Sequence, residues 1–194
     1  MWRQVDALLD TALDATTEYT YNVKAYGAVG DVPLNPTAGQ RASATDDTAA
    51  IQAAIDAAEA GGGGTVFFPE GGYKVAELVI DSAFVHVLGS SARLYQQAAQ
   101  ANIIRVLDTD DIRIEKISFY GVGGDGETSV TNDCGIRFQS TSGTPAIGDL
   151  NRCRVQDCDF HDFRFHGVMA SYVDVLGVTN CHGFGIRDGF GHYG

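Results

Sequence analysis

The chain has 194 residues, enough for one domain with a real core. Hydrophobic residues make up 44%, which excludes a disordered tail, and 24 glycines against 4 prolines suit a fold with many tight turns. The net charge of -12 disfavours a nucleic-acid surface, and an anionic polymer needs a local basic patch or a cation to offset the repulsion.

Residues 2–16 read as a short amphipathic helix, with Trp2, Val5, Leu8, Leu9, Ala12 and Leu13 on one face. A helix this short needs a packing partner: its own domain, a second copy or a larger assembly. Its acidic residues and lack of an apolar centre argue against a signal peptide. No run reaches the roughly 18 apolar residues of a membrane span, so no membrane insertion is expected.

Residues 21–31 predict a short strand and a turn. Residues 31–45, polar and holding Pro33 and Pro36, predict a loop. A second helix is predicted over Thr48–Ala60, with Asp46 or Asp47 as N-cap. Ala50, Ile51, Ala54, Ile55 and Ala58 form its apolar stripe, and Gly61 to Gly64 stop it.

From Thr65 onward short strands are predicted at 65–69, 73–75, 78–80 and 85–88. Three later segments share one apolar spacing: Ile112–Phe119, Cys153–Phe160 and Val173–Asn180. The last two start 20 residues apart, about one coil of a solenoid. The first two start 41 apart, which requires an intervening coil or an insertion. Gly135–Phe138, Gly167–Ala170 and Gly185–Asp188 form a second strand family. Asn180 and the cysteines are expected in inward ladders, with Cys134, Cys153, Cys158 and Cys181 as buried thiols, since no pair has CxxC spacing. A β-sandwich needs hairpin turns of the Asn-Gly type, and the sequence has none.

Asn22–Ala28, Asp46–Ile55 and Gly62–Tyr73 together resemble the opening of the pectate-lyase superfamily, which is shared by bacteriophage tailspikes, polygalacturonase-like hydrolases and alginate epimerases. The resemblance implies a mainly β fold. It would be a right-handed parallel β-helix with a capping helix, preceded by the short helix at the extreme N-terminus. Residues 1–20 are then an attachment or oligomerisation segment, and residues 21–194 the first coils of a β-helix that continues further. The helix at 48–60 covers strand edges that would otherwise invite aggregation.

Three functions fit. The first is a tailspike or tail-fibre protein, made in a cytoplasm and residing in a virion tail. It would be a homotrimer that joins other tail proteins through residues 2–16 and binds, and often cleaves, bacterial surface polysaccharide. The second is a stand-alone polysaccharide lyase, hydrolase or epimerase, released by a non-classical route. The third is a structural stalk. Lyase or epimerase chemistry needs a base beside a uronate and a cation for the developing charge, and hydrolysis needs two carboxylates. Outward positions in the late coils offer Asp159, His161 and Asp188 as catalytic candidates, and His166 and Arg187 as substrate contacts. The epimerase-like Tyr-Gly-x-Asp-Pro-His-Glu run is missing; Phe184–Gly189 only echoes it. The acidic stretch 121–133 lacks EF-hand spacing, so no metal and no cofactor are expected.

Overall fold

A computed structural model describes residues 19–99, 101–123, 133–141, 150–171, 176–186 and 190–193. The helix expected at 2–16, most of the acidic stretch and residues 173–175, 187 and 188 lie outside them.

The first described element is β1 (Thr20–Asn22), which leads into a 3-10 turn over Val23–Tyr26. The polar stretch after it holds a helix that the sequence reading missed, α1 (Ala38–Ser43). Its start is a capping box between Thr37 and Gln40, two polar residues that look like loop until their reciprocal bonds are seen. The second helix, α2 (Thr48–Ala60), has the predicted bounds, and Ile51, Ala54, Ile55 and Ala58 are buried. The two acidic residues before it divide their work. Asp46 Oδ1 accepts the Thr48 N–H at 3.0 Å. Asp47, only 1% exposed, turns back and accepts from Val29 N at 2.7 Å and Gly30 N at 3.1 Å. It thereby ties the turn after β1 to the start of α2.

The Gly run is a steric requirement. Gly63 and Gly64 have φ of 116° and 143°, and a Cβ at either would lie 2.7 Å from Phe84 or from the Tyr19 carbonyl. Beyond it the chain is strands: β2 (Gly64–Phe68), β3 (Gly71–Val75), β4 (Leu78–Ile80), β5 (Val85–Gln96), β6 (Ile104–Leu107), β7 (Arg113–Tyr120), β8 (Cys134–Gln139), β9 (Cys153–Gln156), β10 (Asp159–His161), β11 (His166–Ser171), β12 (Leu176–Thr179), β13 (His182–Phe184) and β14 (Phe190–Tyr193).

Every recorded pair of these strands is parallel, and they form three faces that the chain visits in turn. The first face stacks β2, the front of β5, the front of β7, β9 and β12. The second stacks β3, the back of β5, the back of β7, β10 and β13. The third stacks β4, β6, β8, β11 and β14. Each face sends at least one column of side chains inward. Val66, Val87, Ile114, Val155 and Val178 are in register on the first. Tyr73, Leu94, Phe119, Phe160 and Gly183 follow on the second, where Phe119 and Phe160 stack at 5.0 Å. Leu78, Ile104 and Ile136 begin the third. No coil could bury such a column alone, so stacking creates the core.

Several expectations change, and one left open is resolved. β5 runs on to Gln96 instead of stopping at 88, because a bulge between Leu88 and Ala92 carries it round a corner. The 41-residue gap is an enlarged single coil, since Ile114 pairs directly with Val155. In the last coil Leu176, not Val173, is the partner of Cys153, so Gly185 and Ile186 follow β13 and β14 takes the third face. Asn180 is exposed at a corner, where Lys116, Asp157 and Asn180 have φ of 58°, 53° and 50°. Its amide bonds the Asp157 carboxylate. Asn and Asp tolerate this left-handed conformation better than most residues, which places them there and not inside. Cys134, Cys153 and Cys158 are buried and free, whereas Cys181 is half-buried.

Candidate functional site

The second face carries two outward columns. Arg93, Ser118, Asp159 and His182 are in register in one, and Lys74, Tyr95, Tyr120, His161 and Phe184 in the other. Parallel pairing sets neighbouring strands about 4.8 Å apart, which is stacking distance for planar side chains. The rings use it. Tyr95 stacks on Tyr120 at 4.8 Å, Tyr120 on His161 at 4.5 Å, and His161 on Phe184 at 4.9 Å. The Arg41 guanidinium of α1 lies 5.0 Å from the Tyr95 ring centre and closes the row with a cation–π contact. Exposure grows along it, from Tyr95 at 1% to Phe184 at 54%. Burial pushes the Tyr95 and Tyr120 hydroxyls above the usual phenol range, so both stay protonated donors.

Beside the rings, His182 Nδ1 lies 3.3 Å from Asp159 Oδ1, and both side chains reach solvent. A carboxylate that orients an exposed imidazole is the elementary arrangement for moving a proton. Asp159 and His161 are thus brought together on β10, as outward residues two positions apart. His166 is not with them. It is 3% exposed at the start of β11, against the ring of Phe165, because all six residues of β11 are buried. Asp188 and Arg187 lie outside the described residues. Among the described residues no group of three His, Cys, Asp or Glu is placed to hold a metal.

Tyr95, Tyr120, His182 and Arg41 went unread in the sequence. The signal for two of them was present. The 41-residue match of Ile112–Phe119 to Cys153–Phe160, extended by one residue, aligns Tyr120 with His161. The offset from Cys158 to Cys181 aligns Asp159 with His182.

A cleft of about 600 Å³ opens at the Tyr95 end, between α1 and the turns that follow β7 and β10. Arg41, Lys74, Gln97, Gly121 and Asp162 are among its lining residues.

The family model for rhamnogalacturonase A/epimerase, pectate lyase-like proteins matches residues 20–133, and the chain belongs to that family. Mannuronan C5-epimerase AlgE2 of Azotobacter vinelandii is 55% identical over 103 residues, which are 52% of this chain and 9% of that protein. In structure, the AlgE4 A-module of the same organism superposes with a TM-score of 0.62 at 21% identity, over 89% of this chain and 50% of that one. ORF18 of Geobacillus virus E2 superposes with a TM-score of 0.60 at 22% identity, over 92% of this chain and 34% of that one. The chain therefore spans half or less of each.

Proposed function

We propose that this chain is a right-handed parallel β-helix that binds an acidic polysaccharide along the second face and acts on it as a lyase or epimerase. The observation that carries the reading is the row of stacked rings beside the solvent-facing Asp159–His182 pair. Stacking turns the ring edges outward, so the Tyr120 hydroxyl and the His161 imidazole can serve sugar hydroxyls, while the exposed Phe184 ring at the end of the row offers an apolar face to a pyranose. The sequence match to mannuronan epimerases supports a uronate as the sugar.

In this reading Asp159 holds the imidazole of His182, which takes the proton from the sugar carbon next to the carboxylate. Arg93, in register with Ser118 beside Asp159, carries the positive charge that favours the carbanion. The electron pair then expels the glycosidic oxygen, which takes a proton from solvent to become a hydroxyl, and the other product is an unsaturated uronate. Alternatively, a proton returned from the opposite face gives the epimer. His161 and Asp188 are the further candidates for that second proton.

The test is incubation of the chain with a polyuronate. Ultraviolet absorbance reports elimination, and solvent deuterium appearing next to the carboxylate reports epimerisation. Either signal, lost in Asp159→Asn and His182→Ala, is expected; both signals unchanged in these variants would remove the pair from the chemistry.

A second reading keeps the binding face and drops the reaction: a trimeric virion tail protein that grips a surface glycan. The superposition on ORF18 favours it. It predicts a sedimentation mass three times that of the chain and polysaccharide binding without turnover; a monomer counts against it.

A further inference from the structure

The binding strip does not end at Tyr95. Its column continues to Lys74, which is in register with Tyr95. Lys74 and Arg41 both line the cleft beneath α1. Their environment is unusual for cations in a chain with a net charge of -12. Lys74 is 9% exposed, and its ammonium is held by two carbonyls, those of Ala42 at 3.1 Å and of Ala44. Arg41 is held by the Gly121 carbonyl at 2.7 Å and by the Tyr95 ring. Among the described residues neither has a carboxylate within 4.0 Å. Carbonyls orient a cation without neutralising it, and burial of charge is costly unless a counter-ion completes it. Asp162 lines the cleft near Arg41, and Asp46, which hydrogen-bonds the lining residue Gln97, acts on Lys74, so the two cations are offset at a distance but have no carboxylate in direct contact.

We propose that Arg41 and Lys74 form a carboxylate-binding subsite, in which one acidic sugar of a chain lying along the Tyr120–His161–Phe184 column inserts its carboxylate into the cleft. The proposal rests on the polysaccharide reading above and names the group recognised at one end of it. The Arg41 guanidinium has five N–H donors and Lys74 three, so both keep donors after the carbonyl bonds are counted. A fork on one side and a point charge on the other suit a carboxylate. The subsite also answers the repulsion expected between an acidic protein and an acidic polymer. It puts positive charge at the one place where the polymer's own charge must be desolvated.

Two experiments test it on the full chain. In the first, galacturonate is titrated while the Arg41 Nε–H resonance is followed by NMR. A saturable shift is expected, with none for galactose; no shift, or an equal shift with galactose, overturns the subsite. In the second, calorimetry compares a galacturonate hexamer with its methyl ester. The acid is expected to bind about tenfold tighter than the ester, the value of one good charge-assisted contact. Arg41→Ala and Lys74→Met should each erase that difference, while Arg41→Lys keeps most of it. Circular dichroism confirms that each variant is folded, and Arg41→Lys covers the case where Lys74→Met is not. If both charge-removing variants keep the preference for the acid while Tyr120→Ala loses binding of both oligomers, the subsite is overturned and the binding face stands. If Tyr120→Ala and His161→Ala leave binding untouched while Arg41→Ala abolishes it, the subsite stands and the proposed face falls.

Discussion

Phe160 and His161 are neighbours on β10, yet they belong to different worlds. Phe160 is fully buried on Phe119, and its column is the core; His161 stacks at the same spacing between Tyr120 and Phe184, and its column faces out. The same backbone repeat thus builds two stacks of rings, one residue apart, by sending alternate side chains to opposite faces. The difference teaches where each stack's energy goes. Inside, stacking replaces contact with water and holds the coils together. Outside, it lines up the edges of Tyr120 and His161 and the ring of Phe184 toward solvent.

The largest effect should come from the inner column. Phe160→Ala is expected to lower stability by about 3–5 kcal/mol, read from urea unfolding followed by circular dichroism. Next comes the polar counterpart at the capped end. Asp47→Ala leaves the part-buried N–H groups of Val29 and Gly30 without their acceptor and is expected to cost about 1–3 kcal/mol in the same assay. Outside, His161→Ala should change stability by less than about 1 kcal/mol, yet weaken polysaccharide binding about tenfold by calorimetry. If Phe160→Ala and His161→Ala cost the same stability, the two columns are not different in kind.

Smaller effects sharpen the contrast. The Cys181 thiol sits half-buried beside buried Cys158, whose hydrogen bond lowers the Cys181 pKa while Cys158 is raised. Burial pushes Cys134 to about 12 and Cys153 to about 11. Iodoacetamide near neutral pH should therefore label Cys181 first, as mass spectrometry of peptides will show. At the corner, the Asn180 amide holds the Asp157 carboxyl below its usual range. Its contribution is present above the unfolded carboxylate value of about 3.9 and is lost as pH falls through the lower folded value. Asp157→Asn should flatten the acid limb of the stability curve slightly, as acid titration of the variant checks.

The capped end was the most legible region in the sequence. The Thr48–Ala60 stripe, the Gly run and the first strands depend on neighbours in the chain, so they show as local pattern. The later coils were legible in period but not in phase. The tyrosine column escaped because its members are separated by 25, 41 and 23 residues, spacings set by how far each coil bulges outward. Helix α1 escaped because its capping box lies in a stretch that also holds Pro33 and Pro36. His166 looked like its neighbours His161 and Asp162, and only the corner before β11 decides that it turns inward. Asp159 and His161 were readable as outward residues; their partners Tyr120, Phe184 and His182 come from adjacent coils and required the register.

The most direct measurement is hydroxyl-radical footprinting of the chain with and without a polyuronate oligomer. The outward column of the second face is predicted to be protected at Tyr120, His161 and Phe184, with His86 on the first face unchanged. Protection confined to the first face, or none at these three residues while the oligomer is bound, would contradict the assignment of the binding surface.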